Sequence, residues 1–206
     1  MGALVLILLL SAKVSAEPAL PKNFLAVPIV PQATNYSCGA ASLLAVLYYW
    51  LNYDGNESDL YAELGTEPKH GTRAARIAEA ARRRGLKAEL REGLSLADLR
   101  AALARKATVM LHIQAWREKS APPKTWRENW ENNHYVILIG IDAANAYFMD
   151  PSAYTAYAWL PLSELLERWH NLDYGSEPPR RCRNRGILIR GEGRPRLAGL
   201  GLTRVE

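Results

Sequence analysis

A lone thiol, Cys38, stands where the segment VPIVPQATNYSCGAASLLAVLYYW, Val27 to Trp50, turns from a proline-broken extended run into an apolar helix. Gln32 lies six residues before it. A helix N-terminus carries roughly half a positive charge and N–H groups with no intrahelical partner. A cysteine placed there is stabilised as thiolate, the nucleophilic form. Gly39 and Ala40 follow, so nothing bulky crowds the sulfur. The Gln32 amide and the Cys38 backbone N–H could together donate to a developing oxyanion, as acyl transfer requires. Other readings of the same residues are a buried core cysteine, a disulfide to Cys182, and a solvated loop glutamine.

Thiol chemistry of this kind needs a base, and there are four histidines. His70 lies in an exposed turn, KHGT. His112 is in the middle of an apolar strand, and His170 ends a surface helix. His134 opens a strand directly after a loop rich in tryptophan, which places it at a strand end beside a cleft. Asp150 closes the returning strand of the same hairpin. It could accept from the His134 ring and hold its tautomer. Hairpin loop length decides which face Asp150 occupies, and the sequence leaves that register open. DPS is also an ordinary turn. Trp126 and Trp130 either line the cleft and grip an extended substrate or pack into the core.

The elements that must position these groups are read from periodicity and breakers. Four prolines between 17 and 32 make an extended lead-in. Residues 39–51 are apolar all round and form a buried helix. ESDLYAEL is a short helix. TRAARIAEAARRRG is a longer one, with Thr72 as N-cap and Gly85 as its stop. LKAELRE is a strand, SLADLRAALARK a helix capped by Ser95, and ATVMLHIQAW a buried strand. Residues 117–133 form a long loop. HYVILIGI, AYFMD and YTAYAWL are strands, LSELLERWH is a helix, and GILIR is a last strand. Helices first and antiparallel strands second make an α+β protein.

The chain has 206 residues, 49% hydrophobic and 23% charged, enough for one domain with a full core. Its net charge is +5. The basic runs RAARIAEAARRRGLK and PPRRCRNRG read as solvated faces, since aromatics do not interleave with them as in a nucleic-acid platform. Two cysteines make no disulfide framework. No zinc spacing, HExxH or GxxxxGK[ST] occurs, so no metal or nucleotide cofactor is expected. LVLILLL, Leu4 to Leu10, is too short to span a bilayer of about 20 residues. Followed by VSA, it reads as a signal peptide over 1–16, cleaved after Ala16, and the alternative is a buried N-terminal strand. The mature protein is then exported with no stable membrane anchor, its folded domain covering 17–192 and a flexible tail 193–206.

VPQATNYSCGAASL, NHYVILIGI and YFMDPS, in this order, resemble the bacteriocin-processing double-glycine peptidases, a papain-like group of cysteine proteases. The resemblance spans Val27 to Ser152, and more loosely the helix ending at His170. It implies a papain-like α+β fold, with the nucleophile helix packed on an antiparallel β-sheet. It implies Cys38 as nucleophile, His134 as base, Asp150 as orienting acid and Gln32 as oxyanion donor, acting without a cofactor on a peptide or protein substrate. Many members are fused to a membrane exporter with an ATP-binding domain. This chain has no phosphate loop and carries its own export signal, so cleavage of leader peptides after Gly-Gly does not transfer. Two alternatives are a non-catalytic peptide-binding module on the same fold and a thiol amidase acting on cell-wall peptide. NYS and NES match glycosylation acceptors, and a glycan beside Cys38 would block the site, which favours the periplasm or exterior of a bacterial envelope.

Overall fold

A helix apolar on every face must be covered on every side, and the covering of residues 38–50 organises this molecule. In the computed structural model, which describes residues 17–116 and 125–192, they form α1, Cys38–Trp50. The expected signal segment, the first eight residues of the long loop and the tail after 192 lie outside the described residues. The other helices are α2 (Tyr61–Leu64), α3 (Ala74–Arg83), α4 (Leu96–Ala104) and α5 (Leu162–Arg168). The strands are β1 (Lys87–Arg91), β2 (Thr108–Gln114), β3 (Asn133–Ile141), β4 (Asn145–Met149), β5 (Ala158–Pro161), β6 (His170–Asp173), β7 (Arg180–Arg183) and β8 (Gly186–Arg190).

Six strands form one antiparallel sheet in the order β1-β8-β2-β3-β4-β5. Its central strands are apolar on both faces because both are covered. Met110, Tyr135, Ile137, Ile139 and Met149 pack with α1 and α3. Their alternates Val109, Leu111, Val136, Leu138 and Phe148 pack with residues of α4 and α5. A period of two split between two cores explains why β2 and β3 read as unbroken hydrophobic runs. Among the described residues no helix is long and apolar enough to cross a membrane.

Several local expectations are corrected. Thr72 does not cap α3, whose N-cap is Arg73. Its hydroxyl lies 2.8 Å from that of Thr66, and its carbonyl accepts from Tyr135 Oη at 3.1 Å. Thr72 is thereby drawn into the core. The strand expected over YTAYAWL begins only at Ala158. α5 stops at Arg168, and His170 opens β6, which pairs with β7 in a separate two-stranded sheet. β1 precedes α4 in the chain, so helices and strands are less segregated than expected, although every pairing is antiparallel.

Candidate active site

Ser37 is the N-cap of α1, yet its side chain does not cap the helix. Its hydroxyl donates to Thr34 O at 3.2 Å and accepts from Thr34 N at 3.1 Å. The first-turn N–H groups of α1 are therefore left without a side-chain cap, at the helix end where Cys38 lines a cleft. Gly39 lets this helix start sit deep in the fold. A Cβ there would fall 2.7 Å from Thr72 Cβ and 3.1 Å from a Tyr135 ring carbon. Gly39→Ala is expected to cost about 1–3 kcal/mol of stability through overpacking, read as a lower urea midpoint with an unchanged slope.

His134, 1% exposed, lies at the start of β3. Its Nε2 is 2.7 Å from Asp150 Oδ1, which also accepts from Ser152 N at 2.8 Å and Ser152 Oγ at 2.7 Å. Register explains the meeting. Ile137 pairs with Met149, so the next step puts Asp150 opposite Val136, on the same face as His134 and diagonal to it. Nδ1 of His134 makes no hydrogen bond of ordinary geometry, but the Cys38 sulfur is close enough to act on the ring. Burial alone would lower the imidazole pKa. The hydrogen bonds and charges of Asp150 and Cys38 overcome burial and raise it to about 9. Burial also works against the Asp150 carboxylate, but the His134 hydrogen bond and charge and the two Ser152 donors leave its pKa below the ordinary value.

Gln32 joins this group from the lead-in. Its backbone N–H donates to Pro151 O at 2.9 Å, which ties it to the Asp150 turn. Its Nε2 donates to Thr34 O at 2.5 Å, and Oε1 is buried without a partner. Glu57 pins the next residue, accepting from Ala33 N at 2.9 Å and from Tyr61 Oη at 2.7 Å. The Glu57→Ala variant is expected to lose roughly tenfold or more in turnover, with KM little changed, because loosening the loop misplaces the Gln32 amide. Steady-state kinetics on a fluorogenic peptide would show whether the loss falls on turnover.

A cleft of about 650 Å3 runs past Cys38 and Gln32. Trp116 lines it, 53% exposed, with its ring centroid 4.7 Å from that of His134 and a left-handed φ of 54°. Trp126 and Trp130 do not line it. Arg168 stacks over Trp126 at 3.6 Å, and Trp130 packs on His170 at 4.3 Å. A 3-10 turn over Trp126–Glu128 folds this part of the loop inward, so both rings serve packing. The other histidines are set apart from Cys38 chemistry. His112 stacks on Tyr135, and burial drives its pKa down to about 3. His70 stacks on Tyr174. His170 is buried, with Nε2 2.7 Å from Asn129 O and its pKa lowered by burial, so it does not serve as a helix-terminal cation. Cys38 and Cys182 are both free thiols.

Residues 24–177 match the Peptidase_C39-like family. The chain belongs to that family. No curated protein matches it. Among solved structures, the double-glycine motif protease of an AMS/PCAT transporter, in complex with the leader peptide, aligns at 20% identity, covering 82% of this chain and 94% of its own, with a TM-score of 0.53. The peptidase domain of Streptococcus ComA, a bifunctional ABC transporter of a quorum-sensing pathway, aligns at 16% identity over 81% of this chain and 99% of its own, TM-score 0.55. A C39-like peptidase from Bacillus anthracis aligns at 18% identity over 81% and 96%, TM-score 0.58. The fold is thus that of the papain-like C39 peptidases, and family and fold support a cysteine-peptidase-like function.

Three supporting residues of this C39-like protein escaped the sequence reading. Ser152 had a signal, since an Asp two residues before a Ser is a turn motif in which the side chain binds the backbone. Glu57 and Gln114 had none. Gln114 is fully buried and holds the start of β3: Nε2 donates to Asn133 Oδ1 at 2.8 Å and His170 O at 3.0 Å, while Oε1 accepts from Asn132 N at 3.0 Å.

Proposed function

We propose that this protein is an exported thiol peptidase in which Cys38, His134, Asp150 and Gln32 carry the reaction. The observation that supports it best is the His134 ring, bonded to Asp150 through Nε2 and approached by Cys38, with its pKa raised to about 9. An imidazolium there persists at neutral pH and pairs with a Cys38 thiolate.

The sulfur attacks a peptide carbonyl carbon, and the carbonyl π pair moves onto oxygen. That oxyanion accepts from the Cys38 N–H and from the Gln32 amide, whose second N–H remains after the bond to Thr34. His134 gives its proton to the departing amine as the C–N bond breaks, and a thioester remains. A water then attacks the thioester and passes a proton to His134. The acid leaves, and the thiolate and imidazolium are regenerated.

Digestion of a peptide library by wild type and Cys38→Ala, read by mass spectrometry, tests the reading. Cleavage by wild type alone supports it, and identical digests sink it in favour of a peptide-binding module. Export rests on LVLILLL followed by VSA, and the N-terminal sequence of protein recovered from the envelope or medium tests that part. The double-glycine leader substrate belongs to the transporter protease and is not carried over.

A further inference from the structure

Behind the cleft wall lies a second, small chamber of about 20 Å3, lined by residues that include His70, His112, Asn171 and Arg185. It shares His70, Thr72, His112, Asn133, Tyr135 and Tyr174 with the main cleft, so the two adjoin. Thr72 and Tyr135 are also the residues against which Gly39 packs, which puts the chamber mouth next to the nucleophile. Three buried polar atoms without a partner belong to its lining: His70 Nδ1, His112 Nδ1 and Asn171 Oδ1. Buried polar atoms are nearly always satisfied, so three around one small space call for a ligand or water. The chamber has room for about one water, while the cleft in front of it can hold a side chain.

We propose that the chamber mouth is a specificity subsite of the proposed peptidase, taking the carboxylate of a substrate Asp or Glu. The local charge is positive. Arg185, 6% exposed, bonds Asp173 at 2.7 Å and approaches Glu92 at 3.4 Å. Arg180 shares both acids, so these four charges balance. Asp150 offsets the His134 imidazolium, so in the Cys38→Ala protein Lys69 and Arg73 face Glu131 alone around the mouth and cleft. At His112, Arg185 and His134 each act more strongly than Asp173. A carboxylate oxygen placed between His70 and His112 gains donors that a neutral side chain of equal shape uses less well, because charge-assisted hydrogen bonds are roughly twice as strong. A single water behind it bridges to Asn171 Oδ1.

This inference rests on the peptidase reading, so its test reads binding alone. Cys38→Ala protein is screened by fluorescence anisotropy against a positional-scanning peptide library at pH 7. The expected result is one position where Glu or Asp binds about tenfold tighter than Gln or Asn. That preference disappears in His112→Phe and in His70→Phe, which keep the ring stacks on Tyr135 and Tyr174. Absence of any acidic preference, or a preference that survives in whichever of these variants folds, overturns the proposal. Loss of cleavage by wild type while the acidic preference stands would sink the peptidase reading and leave the subsite.

Discussion

His134→Ala is expected to reduce peptide hydrolysis by roughly 100- to 10,000-fold and to end the preferential alkylation of Cys38 by iodoacetamide at pH 6. An isolated thiol titrating near 8.5 is well under about 1% thiolate at that pH. The proposed Cys38–His134 ion pair would make alkylation of the wild-type Cys38 about 100 times faster than in the variant. Cys182 serves as the internal control. It is 1% exposed, and burial raises its thiol pKa, so it should stay unlabelled in both proteins. Equal, slow labelling of the two cysteines in wild type would remove the ion pair, and the proposed chemistry with it. The same histidine sets a stability window. Its folded pKa of about 9 lies above the ordinary 6.5. The stability it contributes is therefore complete below about 6.5 and is lost as pH rises through 9. Urea midpoints measured across that range should fall in wild type and stay flatter in His134→Ala.

Cys38, His134 and Asp150 were legible because each stands where an element begins or ends, and termini carry local signals: the loop before α1, the opening of β3, Pro151 after β4. Their convergence was not legible. A side-chain period of two leaves the face of Asp150 undecided until the register is known, and β3 and β4 shift register between Leu138 and Gly140. The tryptophan loop misled for a related reason. Aromatic content marks a segment that will bury area, but not the direction in which it folds. Trp126 and Trp130 turned toward arginines and His170, which are distant in sequence. Trp116, the tryptophan that does line the cleft, has in the sequence only the signal of a strand end, as the last residue of ATVMLHIQAW. His170 was misplaced because Trp169, whose Nε1 donates to Arg185 O at 2.8 Å, and the pairing of β6 with β7 draw the chain out of the helix. Such long-range ties override local propensity.

Two substitutions at Asp150 should separate orientation from charge. Asp150→Ala removes the acceptor of the His134 Nε2 proton at 2.7 Å and frees Ser152, so the ring can turn away from Cys38. A misplacement of this kind costs on the order of 100-fold in kcat/KM. Asp150→Asn keeps an oxygen in the same place and can accept the same hydrogen bond, so on the plateau below the alkaline limb most of that loss should be recovered. The charge does not return. Burial, the largest influence on His134, lowers its pKa, and Asp150 supplies both a hydrogen bond and a negative charge among the influences that raise it. Without that charge the imidazolium releases its proton at lower pH. The alkaline limb of the kcat/KM profile should move down from about 9 toward the ordinary 6.5. The acidic side behaves oppositely. Asp150 has a folded pKa below its ordinary 3.8, so its stabilising contribution is present above that value and is lost as pH falls beneath it. An asparagine profile that overlays wild type at high pH would mean the carboxylate only orients the ring. A profile shifted downward with its plateau intact would assign Asp150 the further role of keeping the His134 imidazolium protonated.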